Sequence, residues 1–322
     1  MAGSFRLATF NVENLDWSPS AEEEFERRLA VLRPLFSRLA ADVICLQEVD
    51  AQRPTPQAPR RFLALDRLLA DSAYENFHRA TSLRPGAKTP ADVHNLAILS
   101  RWPIVERRQI HHDIVARWSW TPPAEGGAPT TPIDIAFDRP LLYARIALPN
   151  GAALHVANLH LRAPRAVPLG YENGASCRSS RCWAEGQFLA AQKREGQALE
   201  ARLFVERLFD AENDPLIAVC GDLNADEHDA PTRLLRGAPE EDMTEAPPRA
   251  LLSLEARVAE PARFTVVHAG RRVLLDQILA SRALAERCGE VDIFNEGLED
   301  EVTAKDPILG SLHAPVVASF EL

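Results

Sequence analysis

The spacing of apolar residues along the chain changes between the two-residue period of strands and the longer period of helices. Residues 5–12 alternate well enough to predict a strand. Ser20 followed by Glu23 is a capping-box pattern, so we expect a helix to begin there and run towards Ala41, with a kink at Pro34. The same reasoning predicts strands over residues 43–46, 96–99 and 216–220, helices over residues 62–69 and 189–209, and a hairpin of residues 141–147 with 153–157.

The order of these elements indicates the fold class. Strands alternate with helices early in the chain, whereas hairpin-like pairs dominate the middle and the end, which predicts an α+β protein with mixed sheets covered by helices. Long irregular loops are expected at about 111–140 and 161–187, and loops of this length are often functional. Candidate chemical positions run from residue 11 to residue 313 without a linker between them, so we expect a single domain over residues 1–322.

Composition and charge limit the classes of function. The 322 residues are 46% hydrophobic and 25% charged, the balance of a soluble globular protein. No apolar run is long enough to span a membrane, and the N-terminus lacks the pattern of a signal peptide, so a cytoplasmic location is expected. The formal net charge of -10 disfavours nonspecific binding of nucleic acid, although it permits a local basic cleft.

The number of cysteines and their positions in the sequence predict that the thiols are reduced. Five cysteines, an odd number, fit free thiols better than a disulfide framework. Cys45 and Cys220 lie in apolar runs and are expected in the core. Cys177 and Cys182 share one loop at a spacing that could close a small disulfide or contribute to a metal site, and we favour free thiols there as well.

The segment Gly221-Asp222-Leu223-Asn224 carries the clearest chemical signal. It follows a buried strand, and side chains two apart on an extended backbone point the same way. Asp222 could therefore meet a cation while Asn224 donates to an anionic oxygen beside it, a pairing that suits cleavage of a phosphate ester. Other polar residues stand at or just past the ends of apolar runs, namely Asn11, Glu48, His160, Asp276 and His313.

Seven stretches extend this signal over nearly the whole chain: residues 8–14 (ATFNVEN), 43–49 (VICLQEV), 95–100 (NLAILS), 157–161 (ANLHL), 221–224 (GDLN), 274–279 (LLDQIL) and 311–316 (SLHAPV). In order and spacing the set resembles the endonuclease/exonuclease/phosphatase family, which has the deoxyribonuclease I-like fold. The resemblance implies a four-layer sandwich of two facing mixed sheets flanked by helices, with the site at one edge. It also implies phosphoesterase activity that depends on a divalent metal, usually Mg²⁺, with Mn²⁺ as a substitute.

The resemblance assigns Glu48 as a metal ligand, with Asn11 holding Glu48 or a water on the metal. Asp222 either takes a proton from the attacking water or helps to bind the metal, and Asn224 orients the phosphate or the nucleophile. Each of these residues also has a purely structural interpretation, as a solvated residue at a strand end or as part of a turn.

His160 and His313 are candidates to contact the phosphoryl oxygens or to transfer protons, with Asp276 fixing the tautomer of its histidine partner. The structural alternatives are satisfied polar groups, including a hydrogen bond from backbone to Asp276. Substrate contacts are expected from Asn95, from Asn158 on the same face of the strand as His160, and from Arg162, which could instead belong to a solvated loop face.

One motif departs from the family pattern. The family usually reads Ser-Asp-His where this chain has Ser311-Leu312-His313, and leucine neither binds metal nor accepts a hydrogen bond.

The leading hypothesis is a metal-dependent phosphoric ester hydrolase that cleaves a phosphodiester, either as a nuclease or on a small or lipid-like substrate. Mono- or diesterase action, endo- or exo-cleavage, and one or two metals are all left open. The alternative is a degenerate, non-catalytic binding protein on the same scaffold, motivated by Leu312. A zinc site using Cys177 and Cys182 is a weaker third hypothesis, because paired cysteine spacings are missing.

Overall fold

The computed structural model describes residues 3–55, 57–121, 131–169, 179–237 and 247–322. The strands in these residues are β1 (Ser4–Leu15), β2 (Val43–Val49), β3 (His78–Thr81), β4 (Asn95–Ser100), β5 (Ile104–Ile110), β6 (Trp118–Trp120), β7 (Ile133–Ile135), β8 (Leu141–Ala147), β9 (Ala153–His160), β10 (Leu216–Asp222), β11 (Leu252–Ser253), β12 (Val266–His268), β13 (Arg271–Val273), β14 (Asp276–Ala280), β15 (Cys288–Ile293) and β16 (Val316–Glu321). The α-helices are α1 (Glu22–Leu39), α2 (Leu63–Leu69), α3 (Ser180–Ala211), α4 (Ala230–Arg236) and α5 (Arg282–Ala285).

Most strands belong to two six-stranded sheets. The strand order is β15-β16-β1-β2-β4-β3 in the first sheet and β11-β14-β10-β9-β8-β5 in the second. Each sheet contains one parallel pair, β1 with β2 and β9 with β10, among antiparallel neighbours. Two mixed sheets with flanking helices confirm the predicted fold class.

Side-chain alternation divides each sheet between two layers of core. In β2, Val43 and Cys45 pack between the sheets, whereas Ile44 packs outward against α1 and α2. In β10, Ala218 packs between the sheets and Ile217 packs outward against α3. The result is a four-layer sandwich in which the inner faces of both sheets share one apolar core. Among the described helices, none combines the length and apolar character needed to cross a bilayer.

The predicted elements appear with small changes of boundary. The predicted strand over residues 5–12 extends to Leu15, and the predicted hairpin is formed by β8 and β9. The prediction of a capping box at Ser20 and Glu23 was wrong. Helix α1 begins at Glu22, and its N-cap residue, Ala21, makes no side-chain hydrogen bond to cap the helix. Pro34 lies inside this helix, as expected.

The two long loops are shorter than predicted. Within 111–140, residues 118–120 and 133–135 pair as the small β6–β7 hairpin. The second loop ends earlier because α3 begins at Ser180, where Ser179 accepts a hydrogen bond from the backbone N–H of Cys182. The expectation of a free thiol at Cys182 was wrong, since this residue is disulfide-bonded, and Cys177 lies outside the described residues. Free thiols occur at Cys45, Cys220 and Cys288.

A buried amide joins the two sheets. Asn158 on β9 donates hydrogen bonds to the carbonyl oxygens of Leu46 and Ala97 in the first sheet, at 2.9 and 3.0 Å. These residues lie where the β2–β4 ladder shifts register. The side-chain amide of Gln47 completes the set by donating to Asn158 Oδ1 at 2.7 Å. Asn158 is therefore part of the framework between the sheets. Both N–H groups of its side-chain amide are occupied, so they are not free for the substrate contact that the sequence predicted.

Replacing Asn158 with leucine keeps the branching and the number of heavy atoms but removes one hydrogen bond from each of the two carbonyl groups and one from the Gln47 amide, which keeps Thr9 Oγ1 and Cys45 O as acceptors. We expect the free energy of unfolding to fall by at least about 2 kcal/mol, because each buried polar group loses a hydrogen bond. Urea denaturation of N158L measures this change. N150A is the matched control, since Asn150 is exposed at the β8–β9 turn, and equal losses in the two variants would contradict the assignment.

Candidate active site

The candidate site lies at the edge of the two sheets where the inward-facing side chains change from apolar to polar. On β9, His160 follows Val156 on the inner face, and on β10, Asp222 follows Cys220 in the same way. The parallel register sets Asp222 opposite His160, and the antiparallel register sets it opposite Asp276. The alternation that builds the core thus brings three predicted residues to one edge of the second sheet.

Gly221 is required for this arrangement. Its backbone has φ +141°, and a Cβ at this position would lie 1.9 Å from the carbonyl oxygen of Leu159 on the neighbouring strand. Only glycine permits such a close approach. The first residue of the Gly-Asp-Leu-Asn segment therefore allows β9 and β10 to stay paired up to Asp222.

Asn11 connects the two sheets across the site. Its side-chain nitrogen donates to Asp222 Oδ2 at 3.1 Å and to Glu48 Oε1 at 3.3 Å. The nitrogen Nε2 of His160 lies 3.5 Å from Asp222 Oδ2 and 3.7 Å from Glu48 Oε1. Asn11 thus holds the two carboxylates side by side, which is the supporting role that the family resemblance allowed for it. Its own oxygen accepts the backbone N–H of Glu13 at 3.0 Å.

Glu48 reaches the site through a local irregularity of the backbone. Simple alternation would set Glu48 on the outer face with Ile44 and Leu46. Instead the ladders on both sides of β2 shift register here, and Glu48 adopts the left-handed conformation with φ 59°. Its carboxylate then accepts the backbone N–H of Asn14 at 3.1 Å. Such irregularities are common beside functional sites, where they redirect a side chain.

His313 and Asp276 form a buried ion pair. The distance from His313 Nδ1 to Asp276 Oδ2 is 2.8 Å, and Asp276 is fully buried. Burial alone would lower the pKa of His313, but the negative charges of Asp276 and Asp222 outweigh it and raise the pKa well above the usual value. His313 is therefore a cation at neutral pH, and it is the histidine that lies within hydrogen-bond distance of Asp276, a pairing that the sequence left open between His160 and His313.

His160 is in the opposite state. Its burial lowers its pKa well below the usual value, and the positive charges of Arg139, His94 and His313 act in the same direction. His160 is therefore neutral at physiological pH. Two imidazoles with pKa values moved in opposite directions are typical of a site that handles protons.

The carboxylates of the site have environments suited to a cation. Burial is the main cause that raises the pKa of Asp222 to about 7, with a further contribution from Asp276. Burial also raises the pKa of Glu13, helped by the nearby charge of Glu48. Carboxylate oxygens of Asp222 and Asp276 lie within 4.8 Å of each other, with the protonated His313 beside them as a neighbouring charge rather than a ligand, and Asp276 Oδ1 has no hydrogen-bond partner among the described residues. A hard divalent cation prefers such carboxylate oxygens, so the residues present fit one.

Two other amides are already occupied. Asn224 donates from its side chain to Leu161 O at 3.0 Å and to Asp222 Oδ2 at 3.2 Å, so it holds Asp222 in place rather than offering a donor to substrate. Asn95 donates to the carbonyl oxygens of Val49 and Ala91 and has no N–H left for substrate or for His160. Both residues lie at the site, but their hydrogen bonds are structural.

Sequence reasoning missed three residues at the site: His94, Arg139 and Glu13. His94 Nδ1 is 3.7 Å from Glu48 Oε2, and its backbone N–H donates to Asp50 Oδ1 at 2.7 Å. The charge of Arg139 acts on both Glu48 and Asp222. The sequence held a signal for His94 and Arg139. His94 lies just before β4, which is antiparallel to β2, and Arg139 lies just before β8, which is antiparallel to β9. The start of an antiparallel strand lies beside the end of its partner, where the site residues are.

The remaining predicted positions lie at the rim. Arg162 is partly buried and its Nη1 lies 3.3 Å from Asp138 Oδ2. Leu312 is 8% exposed and lines a groove against α1. Its backbone N–H lowers the pKa of Glu13, against the larger effect of burial. The segment that usually carries an aspartate therefore still acts on an acidic residue of the site.

Comparison with known protein sequences gives one family match. A profile of the Endonuclease/Exonuclease/phosphatase family matches residues 8–300. No curated protein sequence matches the chain at a significant level.

Solved structures share the fold at low sequence identity. Truncated TDP2 from Caenorhabditis elegans is 15% identical with a TM-score of 0.56, over 99% of this chain and 98% of that chain. The 3′ phosphatase NExo from Neisseria, bound to a product DNA hairpin, is 18% identical with a TM-score of 0.54, over 99% and 100% of the two chains. An AP endonuclease from Archaeoglobus fulgidus is 17% identical with a TM-score of 0.52, also over 99% and 100%. At these identities the likeness establishes the fold.

The state of His313 can be tested directly. Asp276→Asn removes the nearest negative charge, so burial should dominate and the titration midpoint of His313 should move to lower pH. NMR titration of the imidazole resonances measures the midpoint. Asp134→Asn in the exposed part of the β6–β7 hairpin is the control and should leave it unchanged. A midpoint that is the same in all three proteins would refute the role given to Asp276.

Proposed function

The chain belongs to the endonuclease/exonuclease/phosphatase family, and on that premise we propose that it is a divalent-metal-dependent phosphoesterase that hydrolyses a phosphodiester. The family supports phosphoesterase action in general. The bond type, the metal and the site residues are our proposal. The cytoplasmic location expected from the sequence stays a prediction.

One observation carries the proposal. Glu48 from the first sheet and Asp222 from the second share one amide, that of Asn11, and both face Nε2 of His160 at 3.5–3.7 Å. The charged His313 lies in the same cluster through Asp222 and Asp276. A purely structural cluster has no need to bring two partly desolvated carboxylates together, because like charges repel and burial disfavours both.

The metal would be held by Glu48 and Asp222, which Asn11 fixes in position, with oxygens of Glu13 and Asp276 nearby. We propose Mg²⁺, with Mn²⁺ as a substitute. When bound, the cation would neutralise negative charge on the phosphate and favour deprotonation of the attacking water.

The residues of the chain supply the other steps. Asp222 has two alternative roles: it can hold the cation together with Glu48, or, where Glu48 holds the cation, its carboxylate can accept a proton from water attacking phosphorus in line. His313 is positioned by Asp276 to donate from Nε2 to a phosphoryl oxygen, and its charge stabilises the negative charge that develops there. Arg139 adds a second cation that acts on Glu48 and Asp222, and neutral His160 can donate or accept a hydrogen bond without adding charge.

Leu312 supports a second candidate, a binding protein that no longer catalyses. Without the usual aspartate the site has one fewer carboxylate for a cation. The two candidates differ in one measurable property, since a binding protein would capture its partner but cleave no phosphoester.

Hydrolysis of bis(p-nitrophenyl) phosphate tests the catalytic proposal. We expect turnover that requires Mg²⁺ or Mn²⁺ and is lost with a chelator. Glu48→Gln and Asp222→Asn should each lower kcat/KM by at least about 100-fold, comparable to the loss of one charge-stabilising group in other enzymes. Glu23→Gln on the exposed surface of α1 is the control and should keep full activity.

Turnover that persists in both site variants would remove these residues from the mechanism. A complete lack of turnover across a broad panel of phosphoesters, with partner capture intact, would favour the binding protein instead.

The variant Leu312→Asp tests the departure from the family pattern. Residue 312 precedes His313 of the site and its backbone acts on the Glu13 carboxylate, so an added acid should strengthen the attraction for Mg²⁺ and tighten its binding about tenfold. Calorimetric titration with Mg²⁺ gives the affinity, and Leu312→Asn controls for the loss of the apolar side chain. Equal affinity in the two variants would show that this position does not act on the ion.

A further inference from the structure

A basic cleft opens beside the candidate active site. It has a volume of about 590 Å³ and is formed by residues 82–95 together with parts of the chain around residues 53–60, 138–140 and 162. His94 and Arg139 line it, and both also act on Glu48. The cleft is therefore continuous with the place proposed for the scissile phosphate.

The charge of this cleft is opposite to that of the protein. The chain has a formal net charge of -10, yet the cleft is lined by five arginines and two aspartates. Its arginines are Arg53, Arg60, Arg84, Arg139 and Arg162. Such a local excess of guanidinium groups attracts anions strongly, because the walls of a cleft focus the field.

Three of these arginines form no close ion pair within the described residues, although Arg139 interacts over a longer distance with Glu48 and Asp222. Arg60 pairs with Asp92, and Arg162 pairs with Asp138. Within the described residues, Arg53, Arg84 and Arg139 have no carboxylate within ion-pair distance: Arg53 and Arg139 donate to the carbonyl oxygens of Ala58 and Leu161, and no side-chain partner is found for Arg84. Free guanidinium donors remain to bind an oxyanion.

The backbone that carries Arg84 is fixed. Gln109 clamps the preceding residue, accepting the N–H of Leu83 at 2.7 Å and donating to its carbonyl oxygen at 2.9 Å. The N–H of Arg84 donates to Thr89 O at 3.0 Å, which closes a tight loop. Arg84 therefore extends from an anchored backbone, and a ligand need not order the loop before it binds.

The lining indicates what the cleft recognises. Among its described residues, His94 is the only one with an aromatic ring, so the cleft offers no stacking platform of the kind that binds bases. Its volume is that of a site for a small group rather than an extended polymer groove. A lining that has arginines but no aromatic side chain for stacking binds phosphate oxygens and makes no specific contact with the group that the phosphate is attached to.

We infer that this cleft binds a second phosphate group of the substrate, next to the phosphodiester that is cleaved. The inference rests on the proposed function, which puts the scissile phosphate at Glu48 and Asp222. A preferred substrate then carries two phosphates, as in a nucleotide bearing a terminal phosphate or in a small bisphosphorylated molecule.

Equilibrium binding with Mg²⁺ present tests this inference without any need for hydrolysis. Thymidine 3′,5′-bisphosphate is compared with thymidine 5′- and 3′-monophosphate, and 1,3-propanediol bisphosphate with its monophosphate. We expect each bisphosphate to bind at least about tenfold more tightly than its monophosphate, and the preference to weaken as salt is raised.

Arg84→Ala should reduce the preference about fivefold and Arg84→Glu should abolish it, whereas Arg27→Ala on the exposed surface of α1 should leave it unchanged. Equal binding of mono- and bisphosphates by the native protein would overturn the inference. So would a preference that survives in Arg84→Glu, or one confined to the nucleotide pair, since that would show recognition of the base.

The failure of this inference can be told apart from failure of the proposed function. Bis(p-nitrophenyl) phosphate has a single phosphate, so its turnover reports on the catalytic residues alone. Turnover without any bisphosphate preference would reject the second phosphate site and keep the enzyme. A bisphosphate preference without turnover would reject catalysis and keep the cleft as a phosphate-binding site.

Discussion

The hydrogen bonds of Asn158 tie the two sheets together at the depth where the apolar core ends. Below this amide, toward Val156 and Ala218, the inner faces pack mainly through apolar side chains. Above it the same faces carry the polar residues of the site, including His160 two residues further along β9. The spacing between the sheets at the site is thus set by a directional contact rather than by apolar packing, which is softer and nonspecific.

Much of the site could be predicted because it follows from regular strands. Asp222 and His160 end buried strands on the inner face, and the two-residue period of a strand specifies that face from sequence alone. A carboxylate–histidine pair involving Asp276 was also expected, but only the structure identifies His313 as the partner. What these residues share is that their neighbours in sequence determine where their side chains point.

The rest depended on long-range geometry. The side chain of Glu48 points into the site because the strand pairings on both sides of β2 shift register and Glu48 has a left-handed backbone conformation. No local sequence pattern predicts this irregularity. Arg139 precedes a strand whose partner ends at His160, so its place is known only once the pairing is known. The amides of Asn95 and Asn158 match the motifs, yet backbone carbonyl groups across the fold already occupy them. Sequence identifies a polar residue at a strand end but not which hydrogen bonds it has already made.

The distribution of charge affects how a ligand reaches the protein as well as how it is held. An anion diffusing towards a surface with net charge -10 is repelled over most directions of approach. The cleft around Arg84 and Arg139 has the opposite local charge, with five arginines and two aspartates in its lining. A molecule with unequal charge at its two ends would turn before collision, and its more anionic end would arrive first. Such a charge distribution would select a docking pose ahead of any contact between atoms.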